Sequence, residues 1–205
     1  MPPEPHDPSD SPGRNRAPEV RTAAQLRGLL EGKSEEEALR ALTAGDPLRM
    51  SRRVKKWLQS NWVLMDRRQL MTRALPHLVQ DARGIEDEDA LEGWLTDRIT
   101  VAAWGLFMEE ERAARLGEML EEPLDPRYRW LQAVGIDEPA KLRRACVAFN
   151  GLPDEYRHAA YAMLVEKEGF AHFARRMGIS ARESRDRMVR ALAMIREVAE
   201  REIHD

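Results

Sequence analysis

The stretch that decides the fold is GFAHFARRMGISARESRDRMVRAL, residues 169–192. Phe170 to Met177 reads as a helix ended by Gly178, whose tolerance of positive φ suits a helix C-terminus. Ile179 and Ser180 then lead into a further helix, with Ser180 as its expected N-cap. Ser184, Met188, Ala191, Leu192 and Ile195 recur at helical spacing and predict its buried side. Just upstream, Leu-Pro-Asp-Glu at 152–155 predicts another helix start, with Pro153 at the first position and acids behind it. Ala159, Ala160, Met163 and Leu164 give that helix an apolar face. Helix, glycine-containing turn, helix is in outline the unit that sets a recognition helix into the DNA major groove.

Helical spacing governs the rest of the chain as well. Val54, Trp57, Leu58, Trp62 and Met65 form one stripe; Leu70, Met71, Ala74, Leu75, Leu78 and Val79 a second; Leu91, Trp94, Leu95, Ile99, Ala102, Ala103, Leu106 and Phe107 a third. Three one-sided helices must bury their stripes against one another. Pro76 is expected to kink or interrupt the second, because it removes a backbone donor. Ahead of them Thr22 to Leu30 and Glu35 to Leu42 read as a short accessory hairpin, the latter opened by Ser34 and Glu37 in capping-box spacing. No segment alternates as a strand does, and Asn150-Gly151 lies between helical patterns.

The expected fold is therefore all-α, in two helical lobes. Six of the twelve prolines fall in the first twenty residues, with few large apolar side chains, so residues 1–20 are expected to form a disordered tail. Residues 21–46 form the hairpin, 47–120 the N-terminal helical domain, 121–138 a linker and 139–205 the helix-turn-helix domain. Cys146 is the single cysteine, which excludes an internal disulfide and a cysteine-based zinc site; with Leu142 and Phe149 it reads as a buried, inert thiol in a cytoplasmic protein. The Pro-rich start and the short apolar runs argue against secretion and against a membrane span. His77, His158 and His172 show no ligand spacing, and no nucleophile motif occurs. The expectation is a non-enzyme with no cofactor, no metal and no small-molecule substrate.

A net charge of −3 conceals strong segregation. Arg175, Arg176, Arg182, Arg185, Arg187 and Arg190 stand against only Glu183 and Asp186, a local excess of four positive charges. Arg182, Arg185 and Asp186 fall on the side turned away from the Ser184/Met188/Ile195 stripe and are the best candidates to face the major groove. Arg175 and Arg176 are better placed for phosphates. A merely solvated face is the alternative. From Arg49 to Arg73, eight basic residues meet one acid, Asp66, and Trp57 and Trp62 within that block fall on the apolar stripe, leaving the charges for nucleic acid or an acidic protein surface. Glu86 to Asp89 read as a solvated loop.

The segment LPDEYR…VEKEGFAHFARRMGIS…RMVRAL…IR, some 45 residues from Leu152 to Arg196, resembles region 4 of bacterial RNA polymerase sigma factors, particularly the small extracytoplasmic-function group. It follows that family's Leu-Pro start, its Ala-x-x-Leu-Gly-Ile-Ser turn, with Met177 in place of Leu, and its Arg-Leu-x-Arg-Ala-Leu helix. Trp94-Leu95, Arg98-Ile99 and Ala74-Leu75 resemble region 2 more weakly. The resemblance implies a transcription initiation protein whose C-terminal helix-turn-helix binds promoter DNA through Arg175, Arg176, Ser180, Arg182, Glu183, Arg185, Asp186, Arg187 and Arg190. It also implies core RNA polymerase as a partner, with Arg67, Arg68 and Gln69 at the contact, and admits an anti-sigma protein.

The departures define an alternative. Arg67 and Arg68 stand where the family carries acidic and Gln residues, Val101 and Ala102 stand where polar residues help melt DNA, and Glu109 to Glu111 replace a basic run. These point to a divergent sigma-like regulatory or interaction protein that binds DNA or a protein without promoter melting. A plain helix-turn-helix repressor is a third reading and predicts a dimer on a symmetric operator.

Overall fold

The computed structural model describes residues 18–85, 90–118, 130–131 and 134–200. Among these residues every regular element is helical. Residues 1–17 of the expected tail, the acidic stretch 86–89 and most of the expected linker lie outside the described residues. Val20, expected at the end of the tail, is instead buried and donates its N–H to the Pro47 carbonyl at 2.9 Å.

Five helices share the first core. α1 (Ala23–Leu30) and α2 (Glu35–Thr43) each open with a capping box, Thr22 with Gln25 and Ser34 with Glu37, so that both ends of each cap satisfy a backbone donor. Leu26 and Leu42 are fully buried in one cluster with α3 to α5. The hairpin is thus part of the N-terminal lobe and not an accessory to it. α3 (Met50–Asn61) begins where the Asp46 carboxylate accepts the N–H groups of Met50 and Ser51, at 2.6 and 3.1 Å. α4 (Arg67–Asp81) is capped by Asp66, which accepts from the Gln69 N–H at 2.7 Å.

Pro76 does not interrupt α4, contrary to expectation. The carbonyl that loses its donor belongs to Thr72, an exposed residue, while Leu75 and Leu78 on either side of the proline are buried. α5 (Leu91–Arg115) packs along α4 and buries Leu95, Ile99, Ala102 and Ala103.

The second core gathers Trp130, Leu131 and Ile136 with three helices, α6 (Pro139–Asn150), α7 (Asp154–Ala160) and α9 (Ala181–Glu200). Between the last two lies α8 (Phe170–Met177), whose Phe173 is buried in a smaller cluster with Ala159 and Ala162. α7 runs on into a π-helical turn, Tyr161–Val165. α9 packs against α6, α7 and α8, burying Ser184, Met188, Ala191 and Ile195 of the predicted stripe and also Ala199, while Leu192 is half-buried.

The two cores touch through the segment after α3. Asn150, at the end of α6, accepts the Leu64 N–H at 2.8 Å and donates to the Leu64 carbonyl at 2.9 Å. Leu64 itself is buried in the second core, and the buried Cys146 thiol reaches its carbonyl at 3.7 Å. Trp62 also leaves its expected place on the N-terminal stripe. α3 ends at Asn61, Trp62 takes a left-handed conformation with φ 53°, and its ring packs against the second core. On α5, Glu110 pairs with Arg143 of α6 at 3.4 Å.

Candidate nucleic-acid interface

The turn between α8 and α9 is built by two local devices. Gly178 adopts φ 66°, and its N–H reaches the Arg175 carbonyl at 3.3 Å while the Ile179 N–H reaches that of Ala174 at 3.0 Å. Two carbonyls of the last turn of α8 are thereby satisfied in a left-handed cap. Two residues on, the Ser180 hydroxyl accepts the Glu183 N–H at 3.0 Å and starts α9. Ser184 is fully buried and donates its hydroxyl to the Phe170 carbonyl at 3.1 Å, which pins the first turn of α9 against the start of α8. Phe173, also fully buried, fills the angle among Ala159, Ala162 and Ile179. The orientation of α9 is therefore set by packing and by one buried hydrogen bond.

The arginines divide into two groups. Arg176 donates to both Glu168 oxygens, at 3.2 and 2.6 Å, and lies 3.1 Å from His158 Nε2. The guanidinium holds the Glu168 carboxyl below the usual carboxylate range, with His172 acting in the same direction and burial opposing. Arg187 is largely covered and pairs with Glu183 at 2.7 Å and Glu155 at 3.6 Å. These two charges are spent within the fold.

Arg175, Arg182, Arg185 and Arg190 are exposed. The Arg175 side chain makes no hydrogen bond or ion pair among the described residues. Arg182 has a side chain 93% exposed and only a long contact with Asp186, at 3.9 Å. Arg185 places its guanidinium 5.6 Å from the centre of the Phe170 ring, a cation–π contact that leaves its donors outward. Arg190 lies 3.4 Å from the Tyr156 hydroxyl. Val189, 60% exposed, follows Arg182 and Arg185 at i+7 and i+4 on the same outward face. That face thus offers guanidinium groups and one branched apolar side chain, the groups that meet guanine edges, phosphates and thymine methyls. Charge spacing alone does not single out Val189; its outward register on α9 does.

In the N-terminal lobe, Arg67 donates to the Ser51 hydroxyl at 2.6 Å, while Arg68 and Gln69 are exposed on the first turn of α4. Of the two residues expected where the family melts DNA, Val101 is 47% exposed but Ala102 is buried in the first core. Glu109, Glu110 and Glu111 are all paired, with Arg73, Arg143 and Arg115. Trp57 is half-buried and gives its indole N–H to Thr100 at 3.0 Å.

No family model, no curated protein and no solved structure matches this chain. Among the described residues no group of His, Cys, Asp or Glu is arranged to hold a metal ion, and no helix is long and apolar enough to cross a membrane.

Proposed function

We propose that this chain is a cytoplasmic, sigma-factor-like transcription initiation protein. Its α8–turn–α9 unit binds promoter DNA, and its N-terminal lobe docks on core RNA polymerase through the surface that includes Arg67, Arg68 and Gln69. No cofactor or catalytic residue enters the reading. The observation that carries it is the outward face of α9: Arg182, Arg185 and Val189 project from a helix whose start is fixed by Ser180 and by the buried Ser184–Phe170 bond. A recognition helix with exposed guanidinium groups near its N-terminal end suits direct readout of a major groove. The ungapped motif from Leu152 to Arg196 supports the sigma-like assignment.

The test is co-purification. Mixed with bacterial core RNA polymerase, the chain should elute with it, and the complex should retain particular fragments from a bacterial genomic library. Elution apart from polymerase contradicts the proposal.

A second reading, binding without promoter melting, is favoured by α5. The outward residues Val101, Trp104 and Met108 are apolar and exposed, and the nearby acids are already paired. In this reading the C-terminal unit still binds DNA, but no strand opening follows.

A further inference from the structure

The outer face of α3 carries side-chain charges that no ion pair engages among the described residues. Arg52, Lys55 and Lys56 are exposed, and none of their side chains makes a hydrogen bond or ion pair among the described residues. The acids nearby are engaged elsewhere. Asp46 caps the start of α3, Asp66 caps α4, and Glu92, the carboxylate whose field Lys56 enters, is held by Arg53 through two hydrogen bonds.

The same face lacks what a protein partner would need. Its exposed positions, Arg52, Lys55, Lys56, Gln59 and Ser60, are all charged or polar; Val54 and Leu58 point into the core and Trp57 is committed to Thr100. Protein interfaces draw their affinity from buried apolar and aromatic anchors. Single-stranded nucleic acid is gripped by exposed aromatic rings on which bases stack. A phosphate backbone needs neither, only cations at a matching spacing. Arg52 to Lys56 spans about 6 Å of helix axis, against one phosphate per about 3.4 Å along each strand of a duplex.

We propose that the outer face of α3 is a sequence-independent docking surface for the phosphate backbone of duplex DNA. It extends DNA binding to the N-terminal lobe and does not require that α9 read bases. Three cations meeting phosphates release about three counterions, so the contribution is read directly in the salt dependence of binding.

The experiment is fluorescence anisotropy of the full chain with a labelled duplex of scrambled sequence, titrated from about 50 to about 200 mM salt. The variant Arg52→Ala/Lys55→Ala/Lys56→Ala should flatten the slope of log affinity against log salt by about 2–3 and weaken low-salt binding about tenfold or more. Arg52→Lys/Lys55→Arg/Lys56→Arg should keep the slope, and circular dichroism should show the native helix content in both. An unchanged slope in the alanine variant overturns the proposal. So does loss of binding to poly-glutamate, an acidic polypeptide, with duplex binding intact, which would assign the face to an acidic protein. Arg182→Ala/Arg185→Ala is measured alongside. If only the α3 variant changes the slope, this proposal stands and the recognition role of α9 fails; if only the α9 variant does, the reverse holds.

Discussion

The Trp62 indole lies flat on the His158 imidazole, with ring centroids 4.0 Å apart and planes 8° from parallel. The imidazole meets Phe173 edge-on at 5.2 Å, and its Nε2 lies 3.1 Å from Arg176. One ring therefore joins the end of α3 to the helix-turn-helix. It accepts the Arg176 donor only while Nε2 is unprotonated.

Removing the stack should loosen the attachment of α8 to the rest of the chain. Trp62→Ala is expected to cost about 2 kcal/mol, from lost ring stacking and the area it covers, and Trp62→Phe about half of that. Urea unfolding measures both. Equal stability of the wild type and Trp62→Ala would show that the stack contributes nothing.

Stability should depend on pH through the same ring. Burial lowers the His158 pKa first, and the charges of Arg176 and Arg187 push the same way against Glu168. The folded state thus binds the proton less readily than the unfolded chain, whose imidazole titrates near 6.5. This contribution is complete above that value and is lost as the pH falls from there through the folded pKa. Between about pH 8 and pH 5 the urea midpoint should fall less in His158→Gln than in the wild type. Parallel profiles would contradict the assignment.

Asn150 holds the two cores together by bonding both backbone groups of Leu64. Asn150→Ala leaves the Leu64 N–H without that partner and its carbonyl with only the Cys146 thiol, in a largely covered position, a cost of about 1–3 kcal/mol. Because the bond bridges the cores, the loss should also separate their unfolding. Wild-type protein should unfold in one calorimetric transition and Asn150→Ala in a broader or split one. An unaltered transition would show that Asn150 carries no coupling.

The division of the arginines predicts unequal effects on DNA binding. Arg185→Ala should weaken a specific site by about 1–3 kcal/mol if it reads a base, and lower the salt slope by about one if it meets phosphate. Arg187→Ala should do neither, since Glu183 and Glu155 already hold that charge; its effect belongs in stability. Salt titrations on matched and mismatched sites separate these outcomes. A larger binding loss at Arg187 than at Arg185 would reverse the placement.

Local rules made much of this legible from sequence. Gly178, Ser180 and the Ser184/Met188/Ile195 stripe lie within one or two helical turns of the features they determine, so their consequences follow from φ, capping and 3.6-residue periodicity. Distant partners were hidden for the converse reason. Nothing around Trp62 announces that α3 stops one residue short of it and turns its ring toward His158. Nothing in the spacing of Arg176 reveals that Glu168 folds back to claim it. The tally of six arginines against two acids counts only neighbours in sequence, whereas Glu155 and Glu168 reach the same cluster through the fold. Pro76 does not interrupt α4, whose flanking Leu75 and Leu78 are held in the first core.

Run-off transcription with purified core RNA polymerase, on fragments that the complex retains, tests the central claim most directly. A sigma-like initiator should yield discrete transcripts, with permanganate-reactive thymines marking open DNA near each start, and Arg182→Ala/Arg185→Ala should abolish both. Bound fragments without transcripts or reactive thymines would contradict initiation and leave a DNA-binding regulator in its place.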